Sequence, residues 1–250
     1  MDRSPAPKFS LIIPAYNEDD YLPMLLDSVE LASANYKGGS NAIEVIVSNN
    51  VSTDKTAEIA QSRGCVVVKE EKRIIAAVRN AGAAVANGEI LCFIDADSRL
   101  HPDTFNIIDE AVSSGKVVGG STGVKMERMS PGIALTYYGF FLPMILITGM
   151  DTGVVFCRRK DFQKMGGYNE EKLFAEDVDF LVRLKLLGRT RKQKLAHLTS
   201  ARAIASIRKF QQHGEWHYFP LLVRGIYAMF FPSKRFEKFA KKYWYGDRRN

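Results

Sequence analysis

IIAAVRNAGAAVANGEILCFIDADS, residues 74–98, decides how the rest of the chain is read. Apolar residues recur every three or four positions through IIAAVRNAGAAVA (74–86), which predicts a helix, and Asn87-Gly88 predicts a turn. EILCFID (89–95) is a short apolar run of the kind that forms a buried strand. It runs straight into Asp95 and Asp97, two acids separated only by Ala96. Such a pair can hold a hard divalent cation, or it can form a capped, solvated turn ahead of the helix that Pro102 would open. The chain has 14 aspartates and a second D-x-D, Asp177-Val178-Asp179, so the pattern alone decides nothing.

Upstream the same alternation repeats. FSLIIPA (9–15), AIEVIVS (42–48) and CVVVK (65–69) read as strands, YLPMLLDSVELASA (21–34) and STDKTAEIAQSRG (52–64) as helices. Strands alternating with helices of this length predict an α/β fold with a mostly parallel central sheet covered by helices on both faces. Ligands in such sheets bind beyond the carboxyl ends of the strands, which is where Asp95 and Asp97 fall. No G-x-G-x-x-G follows the first strand and no G-x-x-x-x-G-K-[ST] occurs, so the glycine-loop phosphate cradles are excluded. A diphosphate would then be neutralised by metal and by side-chain bases, for which Arg73 and Arg79 are the candidates, although Arg79 in its helical pattern can equally be a solvent-facing charge.

Composition sets the outer bounds. At 250 residues, 46% hydrophobic and 25% charged, the chain can build a full globular core. Cys65, Cys92 and Cys157 are far apart in apolar runs, which argues against a disulfide framework or a zinc site and fits a reducing, cytoplasmic setting. MDRSPAPKFS lacks the apolar stretch of an export signal, and the run Ile133 to Ile147, interrupted by Pro143, is too short to span a bilayer. The net charge of +7 is uneven: Arg202 to Asn250 carries 11 Lys or Arg against three acids. There the bases interleave with aromatics (WHYFPLLVRGIYAMFFPSKRFEKFAKKYWYGDRR), a pattern suited to a helix on the anionic cytosolic face of a membrane or to a solvated face on a packed helix pair. No nucleic-acid recognition module accompanies the charge, so no nucleic-acid partner is expected.

With these segments on the page, the chain resembles a family 2 glycosyltransferase of the GT-A fold. The resemblance runs in order through IIPAYNE (12–18), EVIVSNNVSTDKT (44–56), AAVRNAGAAVANGEILCFIDADS (76–98), GVVFCRRKDFQKMGGYNE (153–170) and AEDVDFLVRLKLLGR (175–189). It implies an inverting enzyme that moves one sugar from a nucleotide-diphosphate sugar to a hydroxyl of a glycan, lipid-linked or small-molecule acceptor. By position, the loop Pro14, Ala15, Tyr16, Asn17 and Glu18 would hold the nucleoside together with Asn49 or Asn50. Asp97 would bind Mg²⁺ or Mn²⁺, with Asp95 on ribose, metal or both. Asp177, in the pair Glu176-Asp177, would be the general base, although acids in a first helical turn also serve simply to complement the dipole. The expected layout is a GT-A domain over 1–202, with a nucleotide half to about 98 and an acceptor half after it, then a basic helical extension over 203–250. The glycines at 149–153 and Gly166-Gly167 would shape the acceptor pocket.

Two departures matter. The family usually carries an acid where Asn49-Asn50 stands; an amide offers one donor and one acceptor, which favours uracil or thymine over guanine. The Q-x-x-R-W pattern of the resembling polymer synthases is absent, which favours single addition. A late histidine, His197, His213 or His217, would complete a metal shell or be structural. Tyr137, Tyr138, Phe140 and Phe141 would contact a sugar or lipid, or fill the core. A non-catalytic nucleotide-sugar or membrane-surface binding protein that keeps the fold remains the alternative.

Overall fold

The computed structural model describes residues 6–143, 145, 151–172 and 175–208. Its first half alternates as the periodicity predicts: β1 (Phe9–Ala15), α1 (Leu22–Ala34), β2 (Ile43–Asn49), α2 (Thr56–Ser62), β3 (Val66–Lys69), α3 (Ile75–Val85) and β4 (Ile90–Phe93). Then come β5 (Ser98–Arg99), α4 (Thr104–Ser113), β6 (Val117–Ser121), β7 (Val124–Met126) and α5 (Pro131–Thr136), which passes into a π-helical turn over Tyr137–Phe141. β8 (Val155–Arg158), α6 (Arg159–Met165), α7 (Glu176–Thr190), β9 (Lys194–His197) and β10 (Ala203–Ala205) follow.

Seven strands form the main sheet in the order β3-β2-β1-β4-β8-β6-β9, and β5-β10-β7 form a small second sheet. β1 to β4 are mutually parallel, β8 lies antiparallel between β4 and β6, and β9 is parallel to β6. The carboxyl ends of β1, β2, β4, β6 and β9 therefore share one edge with the amino end of β8. Central strands buried on both faces explain the unbroken apolar runs: Leu11 to Ile13 and Ile90 to Phe93 are all buried. α3 lies close on this sheet because Gly82 leaves room; a Cβ there would come within 2.6 Å of the Ile12 side chain.

Helix α2 begins at Thr56, later than the expected start near residue 52. Asp54 Oδ1 accepts from Thr56 N and Thr56 Oγ1 just ahead of the helix, and Ser52 to Lys55 become loop. Beyond β4, an aromatic cluster joins three elements. Tyr168 and Phe180 stack with centroids 4.5 Å apart, and Phe93 meets the Tyr168 ring edge-on at 5.1 Å. Phe162 of α6 closes the group at 5.4 Å from Phe93.

The chain divides into two compact units, Met1–Lys125 with Asp151–Ala205, and Met126–Met150 with Ser206–Asn250. In the second, Ile133 of α5 packs with Ile207 and Met126. The basic extension expected from residue 203 lies, from 209 onward, outside the described residues. Among the described residues no helix is long and apolar enough to cross a membrane.

Candidate active site

The chain leaves β4 through Ile94 into a tight turn in which Ala96 is buried while Asp95 stays exposed and Asp97 half-buried. Ser98 N donates to Asp95 O at 3.0 Å and closes the turn. Asp95 and Asp97 thus flank a buried Ala96 just beyond the end of β4. The second acidic pair arrives from a helix: Ala175 adopts a left-handed φ of 55° ahead of α7, and Glu176 and Asp177 occupy its first turn. A β-carbon residue in that region is strained, which aims the start of the helix at a cost the surrounding packing must meet.

Arg79 brings the two pairs together. Its side chain is 4% exposed; Nη2 donates to Asp95 Oδ1 at 2.9 Å, Nη1 donates to Glu176 Oε1 at 2.6 Å, and Nη1 lies 2.9 Å from Asp177 Oδ1. The guanidinium also sits over the Tyr168 ring, 5.2 Å from its centroid. Burial alone would favour the neutral form, but the carboxylates of Asp177, Asp95 and Glu176 more than offset it and hold the Arg79 pKa well above its ordinary value. Arg79 is therefore neither a solvent-facing charge nor an open phosphate ligand, contrary to both expectations. Its neighbours at helical spacing are Ile75, Ala76, Gly82 and Ala83, small or apolar residues that mark the sheet-facing side of α3.

Asp177 is the carboxyl that this environment brings to neutrality. Burial pushes its carboxyl up to about 7; Arg79 pulls it down, and the charges of Glu176 and Asp95 push it up again. Three acids around one base leave an excess negative charge, and a proton shared near neutrality relieves it. A buried carboxyl with a pKa near 7 at a sheet's ligand edge is suited to accepting a proton.

At the other end of this edge, the loops after β1 and β2 interlock. Asn50 N donates to Ala15 O, Asn17 N to Ser52 Oγ, Thr53 N to Asn17 Oδ1 and Glu18 N to Thr56 Oγ1. Pro14 and Ala15 are buried at the end of β1 and Glu18 beneath the loop, so Tyr16 and Asn17 are its more accessible members. Arg73 is exposed and lies over the Tyr16 ring at 4.9 Å, the one expected base still placed to meet an anion. The amide argument narrows. Asn50 Nδ2 donates to Glu70 O and Lys72 O, and Asn49 Oδ1 accepts from Ser52 N, so neither amide keeps both edges for a base. Asn50 Oδ1 and Asn49 Nδ2 would have to act together.

Several site residues were not anticipated. Asn80, next to Arg79, accepts from Tyr168 N and donates to Tyr168 O, pinning the loop after Gly166-Gly167 to α3. Arg183 donates to Asp179 and to the Met165 and Gly167 carbonyls, fixing α7 on the end of α6. Asp151 is a further one, and His197, expected on a metal or as structural, pairs with it, Nε2 to Oδ2 at 3.2 Å, beside Gly123. A Cβ on Gly123 would fall 2.6 Å from that Asp151 oxygen, and its φ of 75° is one glycine accepts. His213, His217 and Gly149 lie outside the described residues.

As a cation site, the Asp95-Ala96-Asp97 turn offers hard oxygen donors suited to Mg²⁺ or Mn²⁺. One oxygen of Asp95 is taken by Arg79, and Asp97 stands half-buried two residues on. Among the described residues no cluster of three or more His, Cys, Asp or Glu forms a closed cage. The donor set fits an ion that takes its remaining ligands from substrate phosphates and water.

Comparison with known proteins shows the family of the chain. Residues 10–166, more than half of the chain, match the model of Glycosyl transferase family 2. The amylovoran biosynthesis glycosyltransferase AmsB of Erwinia amylovora is 35% identical over 207 residues, covering 72% of this chain and 64% of that protein. An undecaprenyl-phosphate 4-deoxy-4-formamido-L-arabinose transferase of Pseudomonas fluorescens is 25% identical over 177 residues, covering 60% and 50%. Among solved structures, the mannosyltransferase PcManGT from Pyrobaculum calidifontis, in complex with GDP-Man and Mn²⁺, superposes with a TM-score of 0.60 at 19% identity, covering 73% of this chain and 53% of that one. The chain spans less than two thirds of the length of the curated relatives it matches.

Proposed function

The chain belongs to glycosyl transferase family 2, and from that membership we propose that it transfers one sugar, with inversion, from a nucleotide-diphosphate sugar to an acceptor hydroxyl. The observation that carries this reading is the gathering of Asp95, Glu176 and Asp177 around the buried Arg79 guanidinium at the carboxyl edge of the sheet. In this reading Asp177 is the general base: its carboxylate takes the acceptor hydroxyl's proton as that oxygen attacks the anomeric carbon from the face opposite the diphosphate. Glu176 shares Nη1 of Arg79 with Asp177 and orients it, and Arg79 positions the carboxylates rather than touching phosphate. Asp97 and the outer oxygen of Asp95 would hold Mg²⁺ or Mn²⁺, which when bound neutralises charge developing on the leaving diphosphate. Arg73 would supply a second positive charge there, and Tyr16, Asn17, Asn49 and Asn50 would seat the nucleoside. The amides favour UDP or dTDP over GDP. The acceptor is a glycan, lipid-linked or small-molecule acceptor, and the name of the undecaprenyl-phosphate transferase relative favours the lipid-linked class. The basic segment after Arg202 would bring the protein to an anionic cytosolic membrane face.

Thermal melting with UDP, dTDP, GDP and CDP, each with Mn²⁺ and again with excess chelator, tests the donor half. A ligand at a hundred times its dissociation constant adds about 2.7 kcal/mol. Stabilisation by UDP or dTDP that chelator abolishes is the expected result. A folded protein that responds to no nucleotide would instead be a non-catalytic relative that keeps the fold.

A further inference from the structure

The second compact unit contains a long uncharged stretch of chain that includes an exposed apolar helix face. Ser130 Oγ accepts from Ile133 N and Pro131 occupies the first turn, so α5 is properly capped and begins a helical path that continues into the π turn. Its inner side buries Gly132, Ile133 and Thr136. Its outer side, which on a soluble protein should be polar, exposes Pro131, Leu135 and Tyr138, with Leu135 50% and Tyr138 58% accessible. Met129 just ahead is 46% accessible. Helices α1 and α7 of the first unit also expose apolar side chains, Leu31 at 58% and Leu186 at 52%, but intersperse them with exposed charges such as Asp27, Glu30 and Arg189. No charged residue occurs from Met129 to Met150, whereas Lys125, Glu127 and Arg128 precede the run and Asp151 ends it.

We propose that the outer face of α5 and the π turn, carried by Met129, Leu135 and Tyr138, inserts into the interfacial layer of a lipid bilayer that contains anionic lipid. A helix apolar on both sides needs an apolar medium on the outer one, and a short helix can find it lying in the plane of the interface rather than spanning the membrane. Tyr138 suits that depth, with an apolar ring and a polar tip. Charge selects the bilayer over a second copy of the chain. The other segment of this unit, Ser206 to Asn250, carries ten Lys or Arg against three acids, which would repel its like in a dimer and attract an anionic lipid surface. This inference stands apart from the catalytic reading and requires no particular acceptor.

Vesicle flotation of the full chain tests it, using phosphatidylcholine alone and mixed with phosphatidylglycerol, at low and high salt. Wild type should float with the mixed vesicles and keep a salt-resistant fraction, because apolar insertion is not screened. Leu135→Ser with Tyr138→Ser should lose that fraction, with partition falling on the order of tenfold or more, and should melt like wild type without lipid. Leu135→Phe, which keeps the face apolar, should float like wild type. Equal flotation of wild type and double variant would overturn the proposal. So would a double variant that melts much lower without lipid, or a wild type that sediments as a dimer which the substitutions dissociate, since either means protein covers the face. If the double variant does not fold, Tyr138→Ser alone is read in the same way.

Discussion

Two stretches of this chain carry the same three-residue pattern and do different things with it. Asp95-Ala96-Asp97 follows a strand into a tight turn, with Ala96 buried, Asp95 exposed and Asp97 half-buried. Asp177-Val178-Asp179 winds into the first turn of α7, where residues two apart point nearly opposite ways. Asp177 accordingly meets Arg79 beneath the site, whereas Asp179 bonds Arg183 at 2.8 Å four residues on, along the helix surface. The local backbone, rather than the acid spacing, decides which pair can act on one ligand and which is split between chemistry and packing.

The comparison breaks most visibly at Asp177. Asp177→Asn should lower the transfer rate by about 10²- to 10⁴-fold, the range for a lost general base, while nucleotide-induced stabilisation stays close to wild type. Loss of nucleotide binding as well would place Asp177 in the donor site. Next is the cation between the pairs. Arg79→Met leaves Asp95, Glu176 and Asp177 without their buried partner and should cost about 3–5 kcal/mol in denaturant unfolding; a loss under ~1 kcal/mol would mean the carboxylates repartner with water.

The pH dependence sharpens the contrast further. Asp177 must be ionised to act, so kcat/KM should rise with pH up to about 7 and then level off. Stability runs the other way. The folded state raises this carboxyl from its ordinary value to about 7, so it holds a proton that the unfolded chain has released. Its contribution is full below the ordinary carboxylate range and is lost as pH rises toward 7. Asp177→Asn should flatten both slopes; a rate limb that persists in the variant would assign it to another group. The smallest effect belongs to Asp179. Asp179→Asn removes a partly exposed helical ion pair and should cost no more than about 1 kcal/mol, with transfer nearly unchanged.

The parts of the molecule that obey a local period were legible from the residues. β1, α1 and α3 fall within a residue of their expected limits because apolar spacing and caps act over a few positions. Less legible were groups whose meaning depends on partners far along the chain. Arg79 reads as a surface base until α7, 97 residues later, delivers Glu176 to it. Asn50 looks free to read a base until the loop at Glu70 and Lys72 takes both its amide hydrogens. Asp151 and His197 each look solitary, and only the β6-β8-β9 pairing brings them together beside Gly123. The outward apolar face of α5 was visible as composition alone, since periodicity cannot tell which side of an uncharged helix meets solvent.

Arg79 also bears on how such a chain can diverge. Its guanidinium is committed to acids from two distant segments, so a neutral residue there strands three acids at once, whereas removing the acids in turn ends with a buried cation that has no partner. Loss of the arginine first is the costlier step. Descendants of this chain should therefore keep Arg79, Asp95, Glu176 and Asp177 as a set, or exchange them in concert, while Asp179 and Arg183 a turn away drift as an independent pair.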